Sequence, residues 1–250
     1  MKKISIAMIL AATCAGCVTT ETVQFQPKTN QQSITRDGQP GLVSERKSSI
    51  VIVRPAARQL RTGGRPIFIV GIYNRTKIPQ EFRVGDVRVT QTVNSEAAEL
   101  KVITYEMLVQ EERTRQAIAA VGVGLAATSN SLAASRAGYY RANSTVYTPR
   151  GMYSVHTTGY SPTAAAIAQS NANAQNAEMI GATIERGQAN MALLERAVIK
   201  DNTLLPGEWY GGQLHIQPLV SDAGAIKTYA IAIRVGTDVH DISIAQGNAQ

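Results

Sequence analysis

The stretch ELKVITYEMLVQEERTRQAIAAVGVGL, residues 99–125, changes its hydrophobic period part-way along. A strand-like run at 99–106 gives way, from about Tyr105, to apolar residues three and four positions apart: Ile118, Val121, Leu125, then Thr128 and Leu132. Strands have a side-chain period of two and helices one of 3.6, so the chain leaves a sheet here and enters a helix expected to end near Arg136.

Upstream, strand-like runs occupy 49–55 (SIVIVRP), 66–74 (PIFIVGIYN) and 82–92 (FRVGDVRVTQT). In the last of these, Phe82 and Val84, then Val87 and Val89, keep to alternate positions on either side of Gly85-Asp86, which suggests strands meeting at a turn or bulge. Downstream, strand character returns only after residue 210, with Leu214 and Ile216, then Tyr229, Ile231 and Ile233, then Ile242 and Ile244. About seven short strands separated by turn signals point to an antiparallel sandwich.

Between the strand groups lies a second helical pattern. Ser161 as N-cap and Pro162 in the first turn mark its start, and it can run to about Lys200, ~60 Å at 1.5 Å per residue. Ala166, Ser170, Asn173, Ala177, Ile180, Ile184, Gly187, Met191, Leu194 and Val198 step by four and three, a seam suited to a coiled-coil partner and strongest from Ile180 onward. Small residues crowd both helices and let backbones approach closely. Burial of the seam is therefore expected against the sister helix of an antiparallel hairpin or against a neighbouring subunit. Membrane insertion of these helices is not expected: the apolar run 117–127 is too short, and the later helix carries Gln, Asn, Glu and Arg.

The expected class is α+β: an antiparallel β-sandwich with an inserted long antiparallel helical hairpin. Residues 1–16 are expected as a leader, 17–47 as a flexible tether rich in Gln, Thr, Gly and Pro, 48–104 and 203–250 as the two parts of the sandwich, and 105–202 as the hairpin insert. The stretches VGIYNRTKIP and LLPGEWYGGQL resemble the strand-and-Asn turn and the Pro-Gly turn of immunoglobulin-like domains found in many bacterial lipoproteins. That resemblance covers some 120 residues of the two strand groups and implies no catalytic residue.

The only two cysteines, Cys14 and Cys17, lie in the first segment. Met1-Lys2-Lys3 is followed by an apolar run from Ile4 to Ala12 and then small residues, the three-part layout of a secretory leader. A redox or zinc pair is not expected, because no βαβ context and no further Cys or His ligands accompany it. Cys14-Ala15-Gly16-Cys17 resembles the lipobox of bacterial lipoproteins, with Cys14 where that family usually carries Leu. The resemblance implies that Cys17 is the acylated first residue after cleavage. Cleavage before Cys14 fits less well, because Thr13 is poor in the slot that Gly16 fills. Val18 follows where lipoproteins retained at the inner membrane tend to carry Asp, so the resemblance implies the outer membrane, periplasm-facing.

Lys and Arg number 25 against 18 Asp and Glu, for a formal net charge of +7. The basic residues between Arg46 and Arg88 are scattered, as on a solvated face or one drawn to an anionic surface. Nucleic acid is not an expected partner, because a secreted chain seldom meets it. No G-x-S-x-G, H-E-x-x-H or phosphate-loop pattern occurs, so neither catalysis nor a cofactor is expected. A metal site would require His215 and His240 to converge with Asp238 and Asp241, at a spacing that matches no ligand motif.

Two segments are candidates for partner binding. The connection 137–162 holds Tyr139, Tyr140, Tyr147, Tyr153 and Tyr160, with a β-hairpin tip expected around Pro149-Arg150-Gly151. Tyrosine supplies contact area with few rotors to immobilise. Trp209, the only tryptophan, sits beside Tyr210; it either covers one end of the sandwich core or stacks with Tyr210 on sugar rings, such as those of peptidoglycan. The functional expectation is a lipid-anchored envelope protein acting in structure or assembly through protein contacts or self-association. The rival is a glycan-binding module.

Overall fold

The computed structural model describes residues 20–36, 38–61, 63–218 and 226–248. The expected leader, with Cys14 and Cys17, lies outside them. The protein is α+β, with antiparallel sheets and two helices. Its chain divides into two compact units, one uniting everything up to Thr104 with everything from Ile199 onward, the other Tyr105–Val198.

Two six-stranded antiparallel sheets make up the first unit. One contains β1 (Thr20–Phe25), β5 (Leu60–Arg61), β8 (Arg88–Val93), β9 (Glu96–Leu100), β15 (Lys227–Val235) and β16 (Asp238–Asn248), in the order β5-β1-β16-β15-β8-β9. The other contains β2 (Gln31–Arg36), β3 (Gln39–Glu45), β4 (Ser49–Pro55), β6 (Ile67–Asn74), β10 (Val102–Ile103) and β14 (Trp209–Ile216), in the order β10-β14-β6-β4-β3-β2. A short pair, β7 (Gln80–Phe82) with β13 (Asn202–Leu204), adds Phe82 and Leu204 to the core.

Period-two alternation decides which face each strand buries. In β4 every second residue from Ser49 is buried, and in β6 every second residue from Phe68. Val51, Val53, Phe68, Val70 and Ile72 of one sheet thus share a single apolar cluster with Val89, Tyr229, Ile231, Ile233, Ile242 and Ile244 of the other. Burial of each such side chain contributes about 1.5–3 kcal/mol. Phe68 meets Tyr229 edge-on at 6.4 Å. Gly85-Asp86 lies in a 3-10 turn, Val84–Asp86, between β7 and β8, at the break expected there.

The segment 17–47 is not a tether from Thr20 onward: it supplies β1, β2 and β3. Val23 and Leu42 are buried in the common core, and β1 pairs with β16 over Glu21–Phe25. Polar residues on the outward positions hide this alternation. The Asp37-Gly38 dipeptide is a turn signal in the sequence; Arg36 stands opposite Gln39, and Gly38 takes φ +69°, which suits glycine.

One end of the core is polar. Lys227 bonds Glu21 at 3.0 and 3.2 Å, both side chains almost fully buried, and the Gln246 amide also donates to Glu21. Beside them Gln91 Nε2 donates to the Tyr229 hydroxyl at 2.9 Å. Desolvation, and then the Glu21 charge, push the Tyr229 phenol up to about 12, with the Gln91 bond working the other way. Glu21 ties β1 to β15 and β16, so the first strand of the described chain is held by charge as well as by Val23.

The second unit consists of α1 (Tyr105–Arg136), β11 (Tyr139–Thr148), β12 (Gly151–Tyr160) and α2 (Pro162–Ala197). Ser161 caps α2, its hydroxyl accepting from the Ala164 amide at 3.2 Å, with Pro162 in the first turn.

Candidate functional site

The two helices pack antiparallel, as their cross-contacts show: residue 112 meets 190, 116 meets 187, and 130 meets 176. Small and polar groups line this contact. Gln116 Nε2 donates to the Gly187 carbonyl at 3.1 Å, and a Cβ on Gly187 would stand 2.9 Å from the Gln116 side chain, so only glycine admits that close approach. Asn130 bonds Asn176 at 3.0 Å, and Ala134 and Ala172 are buried nearby. Glu112, only 4% exposed, accepts from Asn190 and Gln116 at 3.0 and 3.2 Å and pairs with Arg115 at 3.0 Å. The Asn190 hydrogen bond, helped by Gln116 and Arg115, holds its carboxyl below the ordinary value against the opposing effect of desolvation.

Large apolar side chains face the other way. Ile118, Val121, Leu125 and Leu132 are exposed along α1, Leu125 at 69%. On α2, Ile167, Ile180 and Ile184 are exposed. This corrects the expected seam: from Ala166 to Ile184 it does not face the sister helix, and the two helices meet instead through residues such as Ala172, Asn176 and Gly187. The seam rejoins the covered face only at its end, where Gly187, Met191, Leu194 and Val198 are buried or half-buried. By length and composition α1 could cross a membrane: an 18-residue window has mean hydropathy 1.5, and 6% of it is buried.

Between the helices, β11 and β12 form a hairpin over their whole lengths, from Tyr139 opposite Tyr160 to Thr148 opposite Gly151. All five candidate tyrosines lie on it and all are exposed. The Tyr139 and Tyr160 rings are 5.0 Å apart, and the Ser161 amide donates to the Gly138 carbonyl at 2.8 Å, closing the base. The expected tip at Pro149-Arg150-Gly151 is present, on strands of ten residues each.

Trp209 does not cover the core: it is 54% exposed, its ring 4.9 Å from that of Tyr73 and tilted by 31°. Tyr210, on the opposite face by strand alternation, is half-buried and bonds the Lys200 backbone at 2.8 and 3.0 Å. The aromatic pair is therefore Trp209 with Tyr73. Sequence reading missed Tyr73 because its partner stands on another strand, directly opposite in register.

The histidines do not converge. His215 stands opposite Ile67 at one end of β6, whereas His240 contacts Ser49, which stands opposite Asn74 at the other end. At ~3.3 Å per residue those ends are roughly 23 Å apart. No group of three residues that could hold a metal ion occurs among the described residues. His240 is instead part of a buried chain of hydrogen bonds. Ser49 Oγ lies 2.8 Å from both Asp238 Oδ2 and His240 Nε2, and Ser44 Oγ lies 3.0 Å from His240 Nδ1. A neutral imidazole protonated on Nε2 satisfies every member: Ser44 donates to Nδ1, Nε2 donates to Ser49, and Ser49 donates to Asp238.

Several of the scattered basic residues are engaged locally. Arg75, Arg83 and Arg88 pair with Glu45, Glu81 and Glu99 at 3.5, 2.9 and 3.2 Å, and Arg46 donates to the Val239 carbonyl. With Asn30, Gln31 and Lys47, Arg46 and Arg75 line an open groove of about 690 Å³ that also carries Glu45 and Asp238, so its charge is mixed. Comparison with protein families, curated proteins and solved structures finds no match for this chain.

Burial depresses the His240 pKa to about 4, with the Asp238 and Asp241 charges opposing and Arg46 reinforcing the shift. In the unfolded chain a histidine titrates near ~6.5. Above that value this group has no influence on pH dependence; between about 6.5 and 4 the unfolded state binds the proton first, and stability falls by roughly 3 kcal/mol. Denaturant unfolding from pH 8 to pH 4 should show this loss, and His240→Gln should remove that part of the slope. An unchanged slope in the variant would contradict it.

Proposed function

We propose that the protein is a lipid-anchored component of the bacterial envelope, held at the outer membrane through Cys17 and acting in structure or assembly by self-association through its helical insert. The observation that carries this reading is the outward placement of Ile118, Val121, Leu125 and Leu132 on α1 together with Ile180 and Ile184 on α2. A helix that turns alanine, asparagine and glycine toward its sister and its branched residues toward water leaves apolar area for another surface to cover. A second copy offers the same stripe in the same register. Lipid is the poorer match for the helix pair as a whole, since α2 also exposes Asn171, Asn173, Gln175 and Glu178. We read the insert as a helical hairpin and the body as an immunoglobulin-like β-sandwich. In support of the latter, the two stretches that carry the resemblance meet at Asn74, which donates to the carbonyls of Ile78 and Leu204 while its backbone pairs with Gly207 and Glu208.

Acyl chains on Cys17 contribute about 0.8 kcal/mol per buried methylene, so two or three hold the chain on its membrane without a spanning helix. Cys17→Ser should move the protein from the membrane to the soluble periplasmic fraction; a protein that stays in the membrane fraction contradicts the anchor. Sedimentation of that soluble form should show concentration-dependent oligomers. Leu125→Asn combined with Ile180→Asn should weaken association tenfold or more, about 1.4 kcal/mol, with monomer stability changed by less than about 0.5 kcal/mol. Monomers at every concentration, or equal association by the variant, would contradict self-association.

A second reading rests on exposed Trp209 beside half-buried Tyr73, a pair suited to stacking on a sugar ring of peptidoglycan. Trp209 is the only tryptophan, so its fluorescence reports contact directly. Binding of soluble peptidoglycan fragments should change that emission, and emission unaltered at saturating fragment removes the glycan reading.

A further inference from the structure

Neither strand of the β11–β12 hairpin has another neighbour among the described residues. Apart from the half-buried Gly159, every residue of the two strands is exposed, an arrangement of marginal stability in water for an isolated pair. The register divides the hairpin into two unlike faces. One carries Arg141, Asn143, Thr145, Ser154, His156 and Thr158, with the Tyr139–Tyr160 pair at its base and Tyr147 opposite Met152 near its tip, and His156 Nδ1 lies 2.7 Å from Asn143 Oδ1 across the strands. The other carries Ala142, Ser144, Val146, Val155, Thr157 and Gly159, with no charged or titratable side chain apart from the tyrosines at its ends. The Tyr140 ring crosses Gly159 so closely that any side chain there would displace it.

Tyrosines mark both ends of this alternating segment. On the uncharged face Tyr140 stands at the base and Tyr153 beside the Pro149-Arg150 turn, and on the polar face Tyr139 and Tyr160 stand at the base and Tyr147 beside the turn. No Asp or Glu occurs between Glu112 and Glu178, so the whole distal part of the insert is free of acids. A strand of ten residues is ~34 Å long, and tilted by ~40° it covers about 25 Å, the height of the apolar band of an outer-membrane barrel. A face without charge on alternate positions, ten-residue strands and an aromatic side chain at each end of that face, Tyr140 and Tyr153, are features of a strand pair that crosses lipid.

We infer that β11 and β12 cross a lipid bilayer and close into a β-barrel with the same hairpin of other copies. Lipid supplies no partner for the unpaired amides and carbonyls on the two outer edges, so the hairpin cannot cross alone, and neighbouring copies satisfy those edges. Ala142, Val146, Val155 and the rings of Tyr140 and Tyr153 then face lipid together with the hydroxyls of Ser144 and Thr157, while Arg141, Asn143, His156 and Thr158 face an aqueous interior with Tyr139, Tyr147 and Tyr160 at its two ends. This inference rests on the proposed self-association and adds to it a membrane-spanning pore wall.

The test uses the acylated full-length protein reconstituted in vesicles of phosphatidylethanolamine and phosphatidylglycerol. Both native cysteines fall within the first 17 residues, and wild-type protein measures any labelling there. Single substitutions Arg141→Cys to Val146→Cys and Ser154→Cys to Thr158→Cys each carry an environment-sensitive fluorophore. Quenching should alternate with period two. Iodide should quench several-fold less at 142, 144, 146, 155 and 157 than at 141, 143, 145, 154, 156 and 158, and nitroxide lipids should show the opposite order. Iodide quenching that is uniform along both strands overturns the inference. Chemical cross-linking of the same vesicles separates the two ideas. Oligomers without alternation leave self-association standing and remove the spanning hairpin; neither oligomers nor alternation removes both; alternation in a protein that cross-links only as a monomer overturns closure by copies.

Discussion

Beyond Leu108 and Leu194, small and polar side chains occupy the contact between α1 and α2, and the character of the insert follows from that constraint. Gly187 yields its Cβ position to Gln116, alanines fill much of the remaining contact, and Asn130 and Asn176 hold the register by direct hydrogen bonding. Glu112 can be nearly buried there only because two amides and a guanidinium satisfy it. With the contact line given over to such groups, Ile118, Val121, Leu125, Ile180 and Ile184 are displaced to the outside. The pair therefore presents an apolar stripe, and the proposed assembly role is the covering of that stripe by another copy.

The two units solve the burial problem in opposite ways. In the sheets, Val, Ile and Phe face inward and most polar residues outward, and the buried polar groups include Lys227 paired with Glu21 and His240 between Ser44 and Ser49. These clusters are specific in partner and geometry, and the cost of leaving either member unpaired makes them poor sites for change. In the insert, small residues and Glu112 face inward along most of the contact, with Leu108 at its proximal end, while many branched residues face outward, an arrangement that gains little from folding alone. Tyrosine-rich strands of ten residues continue this inverted pattern, and the inferred barrel would bury what water leaves exposed.

Legibility of these features in the sequence depended on whether neighbours in space were neighbours in chain. Helix starts were readable, because Ser161 and Pro162 act within one turn, and the strand-to-helix change at Tyr105 shows in local period. The stripe at Ile118, Val121, Leu125 and Leu132 was equally visible, yet its direction was not, since an apolar face does not say whether a sister helix or another surface will cover it. The phase of α2 was misjudged from Ala166 to Ile184, because isoleucine weighs more than asparagine in any apolar count while Gly187 and Asn176 decided the contact. Strands β1 to β3 were read as a tether, since Gln and Thr on outward positions outweighed Val23 and Leu42. The pairing of Trp209 with Tyr73 and the link between His240 and two serines arise from long-range register, which no local pattern contains.

The central claim concerns direction: branched residues out, small and polar residues in. Maleimide labelling of single cysteines in the dilute monomeric chain, with Cys14→Ser and Cys17→Ser together as background, tests it directly. Ile118→Cys, Val121→Cys, Leu125→Cys and Leu132→Cys should react at rates close to that of an unfolded chain, and Asn130→Cys, Ala134→Cys, Ala172→Cys and Gly187→Cys many times more slowly. The reverse order, with positions 118, 121, 125 and 132 protected within the monomer, would contradict the account.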